Sequence, residues 1–185
     1  YTFLSMRNTL KDSTRVGSIL PSDYTRSVAV RQASGSVQVF SATLAQDLKF
    51  GPVHWDNEVT YQQSSDQVSL PLPKVSLYTN LYFLFPIAKM LRVQMGGDMR
   101  YFTSYYAPDY STSVGQFAVQ DEQNARIKVG NYPIVNVYIN LHLKNCRLYV
   151  AMNHVNQGTG RAFWAPHYPI NPRTFHLALS WNSFN

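Results

Sequence analysis

Residues 135–143 read Val-Asn-Val-Tyr-Ile-Asn-Leu-His-Leu, which is the clearest periodic stretch of the chain. Its odd-numbered positions carry Val, Val, Ile, Leu and Leu, whereas the positions between them carry Asn, Tyr, Asn and His. Successive side chains of a β-strand point to opposite faces, so this period of two collects the apolar side chains on one face. The stretch therefore predicts a strand with one apolar and one polar face.

Similar alternation recurs along the chain, which predicts an all-β fold of about eight strands. The predicted strands are residues 1–9, 40–50, 53–62, 77–85, 91–101, 135–143, 146–156 and 174–184. The pattern is weakest near Phe40, because Val37 and Val39 are out of phase with it, and a β-bulge there would restore the phase. Most of these segments approach the roughly 9 to 11 residues that a tilted strand needs to cross a bilayer.

The predicted connections alternate between very short and very long. Short ones lie at 51–52, 86–90 and 144–145, and long polar ones at 12–35, 64–75, 106–133 and 157–172. A sheet connected in this way has its tight turns at one end and its long loops at the other. Bacterial outer-membrane barrels have this asymmetry, so the pattern predicts an antiparallel transmembrane β-barrel in the outer membrane.

Aromatic side chains on the apolar faces fall near the two ends of the predicted strands. The belt at the short-turn end comprises Phe50, Trp55, Phe83, Phe85 and Trp181, and the belt at the long-loop end comprises Phe40, Tyr61, Tyr101 and Phe175. Aliphatic side chains such as Ile139 lie between the belts. Rings prefer the headgroup level of a bilayer, so this arrangement predicts outer-membrane lipid as the partner of the apolar face.

The polar faces of the same strands would line the interior of the barrel. The predicted lumen-facing residues are Asp56, Glu58, Arg92, Asp98, Arg100, Asn136, Asn140 and His142. An eight-stranded barrel is filled by its own side chains, and a water-filled pore takes roughly 16 strands. Passage of small hydrophilic solutes therefore requires further strands. The alternatives are a structural or interaction barrel in a larger outer-membrane assembly, with other outer-membrane proteins as partners, and a soluble β-sandwich, which also alternates.

Four segments carry a resemblance to a known family. They are 51–57 (GPVHWDN), 100–110 (RYFTSYYAPDY), 154–158 (HVNQG) and 165–169 (APHYP). In these segments the chain resembles the C-terminal part of the putative porin family of Bacteroidetes. The resemblance implies an outer-membrane barrel of which these would be the last strands, and it implies no particular substrate. Because the chain starts at Tyr1 without a signal peptide, we expect residues 1–185 to be a single barrel domain or the C-terminal segment of a larger one.

The last predicted strand has the features of a closing strand. Its predicted assembly signal consists of Phe175, Leu177, Leu179, Trp181 and Phe184. A barrel must pair its last strand with its first, because lipid cannot satisfy an open edge of N–H and C=O groups. Ser183 occupies the phase of the preceding aromatic residues, and Phe184 is out of phase, so the signal departs from the usual aromatic ending.

Residue patterns for enzymatic or cofactor chemistry are missing from the sequence. The five histidines form no His-x-x-x-His pattern, and the chain has neither a Gly-x-Ser-x-Gly elbow nor a phosphate-binding glycine loop. We therefore expect no catalytic residues, no metal and no cofactor. The net charge of +6 comes from scattered Lys and Arg residues, so nucleic acid is not an expected partner.

Two predicted long loops are rich in aromatic residues. These are Tyr105, Tyr106 and Tyr110 in one loop and Phe163, Trp164 and Tyr168 in the other. Exposed rings of this kind suit a platform for a carbohydrate or a protein partner. The simpler interpretation is that they pack on each other and fold the loops over the mouth of the barrel.

Overall fold

The computed structural model describes residues 2–10, 24–33, 35–120, 126–158 and 163–182. Within them the chain forms 13 β-strands, so the predicted all-β class is confirmed. The strands are β1 (Thr2–Leu10), β2 (Tyr24–Gln32), β3 (Val39–Phe50), β4 (Val53–Ser64), β5 (Val75–Ile87), β6 (Leu91–Phe102), β7 (Asp109–Ser111), β8 (Gln116–Gln120), β9 (Ile134–Leu143), β10 (Cys146–Asn153), β11 (Phe163–Ala165), β12 (Tyr168–Pro169) and β13 (Thr174–Trp181). None of the described residues belongs to a helix long and apolar enough to cross a bilayer.

The main element is a seven-stranded sheet in the order β13-β10-β9-β6-β5-β4-β3, in which every neighbouring pair is antiparallel. Seven of the eight predicted strands therefore lie side by side. Tight turns at 51–52, 88–90 and 144–145 join them at one end, and the longer connections 65–74, 103–133 and 154–173 lie at the other. The predicted asymmetry between the two ends is confirmed.

The pairing register confirms the predicted division into two faces. Directly paired residues of neighbouring strands share a face of the sheet. Met95 pairs with Phe83 on one side and with Ile139 on the other, and Ile139 pairs with Val150. On the opposite face, Asp98 pairs with Asn80 and with Asn136. Apolar positions thus meet apolar positions across the sheet.

Strand β3 corrects one detail of the sequence analysis. Its pairing with β4 runs without a register shift from Val39 opposite Ser64 to Phe50 opposite Val53, so the expected bulge near Phe40 was wrong. Val37 precedes the strand, and Val39, its first residue, is opposite Ser64 and shares the face of Ser41 and Thr43. An apolar residue at the first position of the polar face needs no bulge.

A second sheet, with the strand order β2-β1-β8-β7, contains the remaining predicted strand. Residues 1–9 were expected beside the other barrel strands, but β1 pairs with β2 and, in parallel, with β8 from the connection between β6 and β9. The expected loop 12–35 also contains β2. Alternation predicts that a segment is a strand, but it does not identify the neighbour with which that strand pairs.

Among the described strands the seven-stranded sheet is open. β3 and β13 are its two edges, and they are not paired with each other. The structure therefore supports an antiparallel sheet of the predicted kind without closing it into a barrel.

Close packing over Gly96 provides a test of the register. Gly96 pairs with Tyr82 and Tyr138, and a Cβ atom on Gly96 would lie 2.5 Å from Cβ and 2.7 Å from Cα of Tyr82. We expect Gly96→Ala to lower the free energy of unfolding by about 1–3 kcal/mol through overpacking, measured by urea titration with tryptophan fluorescence. Gly35→Ala is the control, because nothing lies within 4 Å of its added Cβ. Equal effects of the two substitutions would contradict this packing.

Candidate functional site

One face of the seven-stranded sheet is a continuous, exposed apolar surface, which we call the apolar face. Exposed fractions are 70% for Leu44, 47% for Leu81, 38% for Ile139 and 65% for Leu177, on four different strands. A soluble protein rarely leaves an apolar patch of this extent uncovered. A β-sandwich would bury this face against a second sheet, so these exposures argue against the sandwich alternative.

The register places the predicted belt residues on this apolar face. At the short-turn end, Phe50, Trp55, Phe83 and Trp181 are 64%, 44%, 44% and 72% exposed, and Phe85 is partly exposed. At the long-loop end, Tyr61 and Phe175 are 40% and 60% exposed, and Tyr101 is partly exposed. The Trp55 indole N–H donates to Thr79 Oγ1 at 2.9 Å, and the Tyr101 hydroxyl donates to Asn131 Oδ1 at 2.7 Å. Their role as belts in a bilayer stays a prediction.

The predicted assembly residues lie on the apolar face of edge strand β13. Phe175, Leu177, Leu179 and Trp181 are all at least 60% exposed, and they pair with the apolar residues of β10. Phe184 lies outside the described residues, so the structure does not test its place in the strand. The far edge of β13 is available for pairing with another strand, as a closing strand requires.

The opposite face, which we call the polar face, carries all eight predicted lumen residues. They fall into rows that run across the strands. One row contains Asp56, Asp98 and Asn136, and the next row toward the long loops contains Glu58 and Arg100. Nearer the short turns, Asn140 belongs to one row, and Arg92 and His142 belong to a further row. The side chains are therefore brought onto one surface but at different heights. Six residues along β6 separate Asp98 from Arg92, which is roughly 20 Å.

The row of Asp56, Asn80, Asp98 and Asn136 is joined by hydrogen bonds. Asn80 Nδ2 donates to Asp56 Oδ2 at 3.3 Å, and Asn136 Nδ2 donates to Asp98 Oδ2 at 2.9 Å. The Tyr138 hydroxyl donates to Asn80 Oδ1 at 3.0 Å from the neighbouring row. Amide groups thus lie beside Asp98 on both sides and beside Asp56 on one side, whereas Asp47 of β3 is directly opposite Asp56. The row presents hydrogen-bond acceptors along a surface four strands wide.

A row of rings lies beside the carboxylate and amide row, and the sequence analysis did not identify it as part of the site. The rings of His54 and Tyr82 stack at 4.8 Å with planes 11° apart. Tyr82 and Tyr138 flank Gly96 in the register, and Tyr138 stacks on Tyr149 at 6.5 Å. The sequence feature that could have indicated this row is that Tyr82, Gly96 and Tyr138 all occupy polar-face positions of predicted strands. The pairing register was needed to bring these rings together.

The long connections form a small buried core at the loop end of the sheet, which we call the loop cluster (103–133 and 154–173). Its buried residues include Ala107, Val119, Tyr132 and Ala165, each at most 8% exposed. It contacts the polar face where Asn136 Oδ1 accepts the backbone N–H of His154 at 3.0 Å. His154 directly follows β10, so this hydrogen bond joins the start of one long connection to the polar face of β9.

His154 links the two connections within the loop cluster. Its Nδ1 lies 2.8 Å from the Asn171 carbonyl oxygen, which only accepts, so Nδ1 carries a proton. The Tyr132 hydroxyl lies 2.8 Å from His154 Nε2 and 2.9 Å from the Asn156 carbonyl oxygen, and its single proton is shared between these two partners. Segment 154–158, one of the four that carry the resemblance, thus has a structural function here.

Two other resemblance segments meet across the loop cluster. His167 Nδ1 lies 3.2 Å from Oδ2 of the buried Asp109, and Tyr110 packs edge-on against Tyr168 at 5.8 Å. Tyr110 also contacts Phe117, at 5.2 Å. The interpretation that loop aromatics pack on each other is confirmed for Tyr110 and Tyr168. The Tyr106 ring instead lies under the cations of Arg126 and Lys128.

Among the described loop residues, the pKa values of two titratable side chains, Asp66 and Tyr105, are shifted. The described residues contain no group of three or more His, Cys, Asp or Glu residues that could hold a metal ion. A hydrogen bond from the Ser69 hydroxyl, with a further one from the Ser69 backbone N–H, lowers the pKa of Asp66 in the β4–β5 connection. Burial raises the pKa of Tyr105. Both groups stay in their usual charge states near neutral pH, with Asp66 ionised and Tyr105 neutral.

The Tyr132 hydroxyl provides a test of the loop cluster. Tyr132→Phe would leave the buried His154 Nε2 without this partner, so we expect a local cost of about 1–3 kcal/mol and faster proteolysis between β10 and β13. Tyr149→Phe is the matched control, because Tyr149 is 40% exposed on the sheet. Unchanged proteolysis of the Tyr132 variant would show that the hydroxyl does not hold the loops together.

Comparison with known proteins gives one match. No curated protein and no solved structure matches the chain. The sequence model of the family described as "Putative porin" matches residues 8–185, which is nearly the whole chain. This match confirms the resemblance carried by the four segments. The chain therefore belongs to the putative porin family.

Proposed function

We propose that this chain forms part of the wall of a bacterial outer-membrane β-barrel of porin type, which passes small hydrophilic solutes. The observation that carries the proposal is the sheet with one exposed apolar face and one polar face, in strands of 8 to 13 residues. Lipid is the solvent that makes an exposed apolar face stable. Membership of the putative porin family supports the same location.

The two open edges are the reason to propose a barrel larger than the seven strands. In a bilayer, the unpaired backbone groups of β3 and β13 would each cost several kcal/mol, so both edges need partners. A wide barrel with an aqueous interior takes roughly 16 strands. The seven strands then supply less than half of the wall, and their polar face lines the interior.

The polar face suits small hydrophilic solutes without selecting for one sign of charge. Its carboxylate and amide row offers hydrogen bonds. Cations such as Arg92 and Arg100 lie on β6 in other rows of this face. Selection for one sign of charge requires a ring of that sign. We therefore propose a weakly selective, passive pathway that needs neither a cofactor nor a catalytic residue.

A structural or interaction barrel without its own pore is the second candidate, and the loop cluster favours it. The long connections have a buried core of their own, which includes Tyr132 and Ala118. In this alternative the loops would block the mouth and contact other outer-membrane proteins. Conductance separates the two candidates, because a blocked barrel assembles in the membrane but passes no current.

The apolar face can be tested at the middle of a strand. Ile139 lies in the aliphatic region and is 38% exposed, whereas Asn140 is the next residue and belongs to the polar face. We expect Ile139→Arg to lower the free energy of folding into lipid by about 2–4 kcal/mol, because the charge would lie near the bilayer midplane. Asn140→Arg is the control and should be tolerated. Equal costs in a refolding titration into lipid vesicles would contradict the face assignment.

The pore can be tested in planar bilayers. We expect the purified full-length protein, including the further strands that a pore requires, to give a stable ohmic conductance and a reversal potential near zero in a salt gradient, because the polar face carries both signs. The cations assigned to this surface are Lys49, Arg92, Arg100, Lys144 and Arg147, and the anions are Asp47, Asp56, Glu58 and Asp98. An assembled protein without conductance would favour the second candidate. Strong selectivity would contradict the mixed-charge wall.

A further inference from the structure

A cleft of about 630 Å³ lies at the long-loop end of the sheet, between the β4–β5 connection and segments 103–106 and 126–128. Its wall includes Tyr61 and Val75, which pair with each other at the ends of β4 and β5. Tyr61 belongs to the apolar face, so the cleft begins where that face ends. It is therefore continuous with the proposed lipid-facing surface.

The cleft is cationic. Its charged lining residues within the described part of the chain are Lys74, Arg126 and Lys128, and no carboxylate is among them. The nearby Asp66 carboxylate accepts the Val68 and Ser69 backbone N–H groups at 2.9 Å and 3.1 Å, within its own connection. These hydrogen bonds hold the ionised Asp66 within its own connection, and the cleft has three cations to this one nearby carboxylate among the described residues.

The Tyr106 ring holds two of these cations on the wall of the cleft. The Arg126 guanidinium carbon lies 4.0 Å from the ring centroid, and Lys128 Nζ lies 5.1 Å from it. Cation–π attraction positions each group. Both groups carry N–H donors that can form charge-assisted hydrogen bonds with a phosphate in the cleft.

We propose that this cleft binds the phosphate-bearing headgroup of an outer-leaflet lipid. The inference rests on the proposed membrane location, which sets the long-loop end at the outer headgroup level. The cations would hold the phosphate, the rings of Tyr61 and Tyr105 would contact the rest of the headgroup, and the acyl chains would continue along the apolar face. Charge complementarity and this continuity favour a lipid over a soluble anion.

The test measures retention of phosphatidylglycerol and of zwitterionic phosphatidylcholine on the purified protein by native mass spectrometry from mixed micelles. We expect phosphatidylglycerol to be preferred. The double variant Arg126→Gln with Lys128→Gln should weaken its binding by roughly tenfold or more, since both charge-assisted contacts are lost. Lys89→Gln is the matched control, because Lys89 lies in the tight turn at the opposite end of the strands.

Each other outcome contradicts a defined part of the inference. Equal retention of phosphatidylglycerol by the double variant and the control would overturn the site. Inorganic phosphate displacing the lipid at equal concentration would show a site for soluble anions. If the double variant does not fold, Lys74→Gln, which removes one exposed cation, must reduce retention. Failure of the protein to insert into lipid would instead refute the proposed function.

Discussion

Backbone pairing is the constraint on which the rest of this structure depends. Every strand of the seven-stranded sheet places its N–H and C=O groups in antiparallel ladders, and the register of each ladder is unbroken. A slip of one residue would move a whole set of side chains to the other face. The apolar face, the polar face and the rows across each of them all follow from this pairing. The same constraint requires partners for the two open edges.

The two faces of the sheet are stabilised by different interactions. On the apolar face, exposed Leu, Ile, Phe and Trp side chains are stable only in contact with another apolar medium. On the polar face, amide side chains donate hydrogen bonds to carboxylates, as Asn136 does to Asp98. Glycine at position 96 lets the rings of the neighbouring strands come close. A thin single layer can therefore separate lipid from water, with no buried core between two sheets.

The loop cluster contains most of the described buried residues, which is unusual for a single sheet. Its contacts involve three of the four segments that carry the family resemblance, at Asp109, His154 and His167. Their roles here are structural, because they join connections that are distant in sequence. These contacts determine how the long connections pack at one end of the sheet. The cationic cleft lies at the border between this cluster and the apolar face.

The sequence alone determined the strand class, the existence of the seven long strands of the main sheet, the face of their residues and the asymmetry of the two ends. Period-two alternation contains that information because side-chain direction along a strand is a local property. The tertiary structure decided what alternation does not encode. It placed β1 beside β2 and β8, removed the expected bulge at Phe40, and left β3 and β13 as open edges. It also brought His54, Tyr82 and Tyr138 into one row, with Tyr149 of the next row stacked on Tyr138, and Tyr106 beneath two cations. These features depend on contacts between segments distant in sequence, and only the pairing register and the packing of the loops determine them.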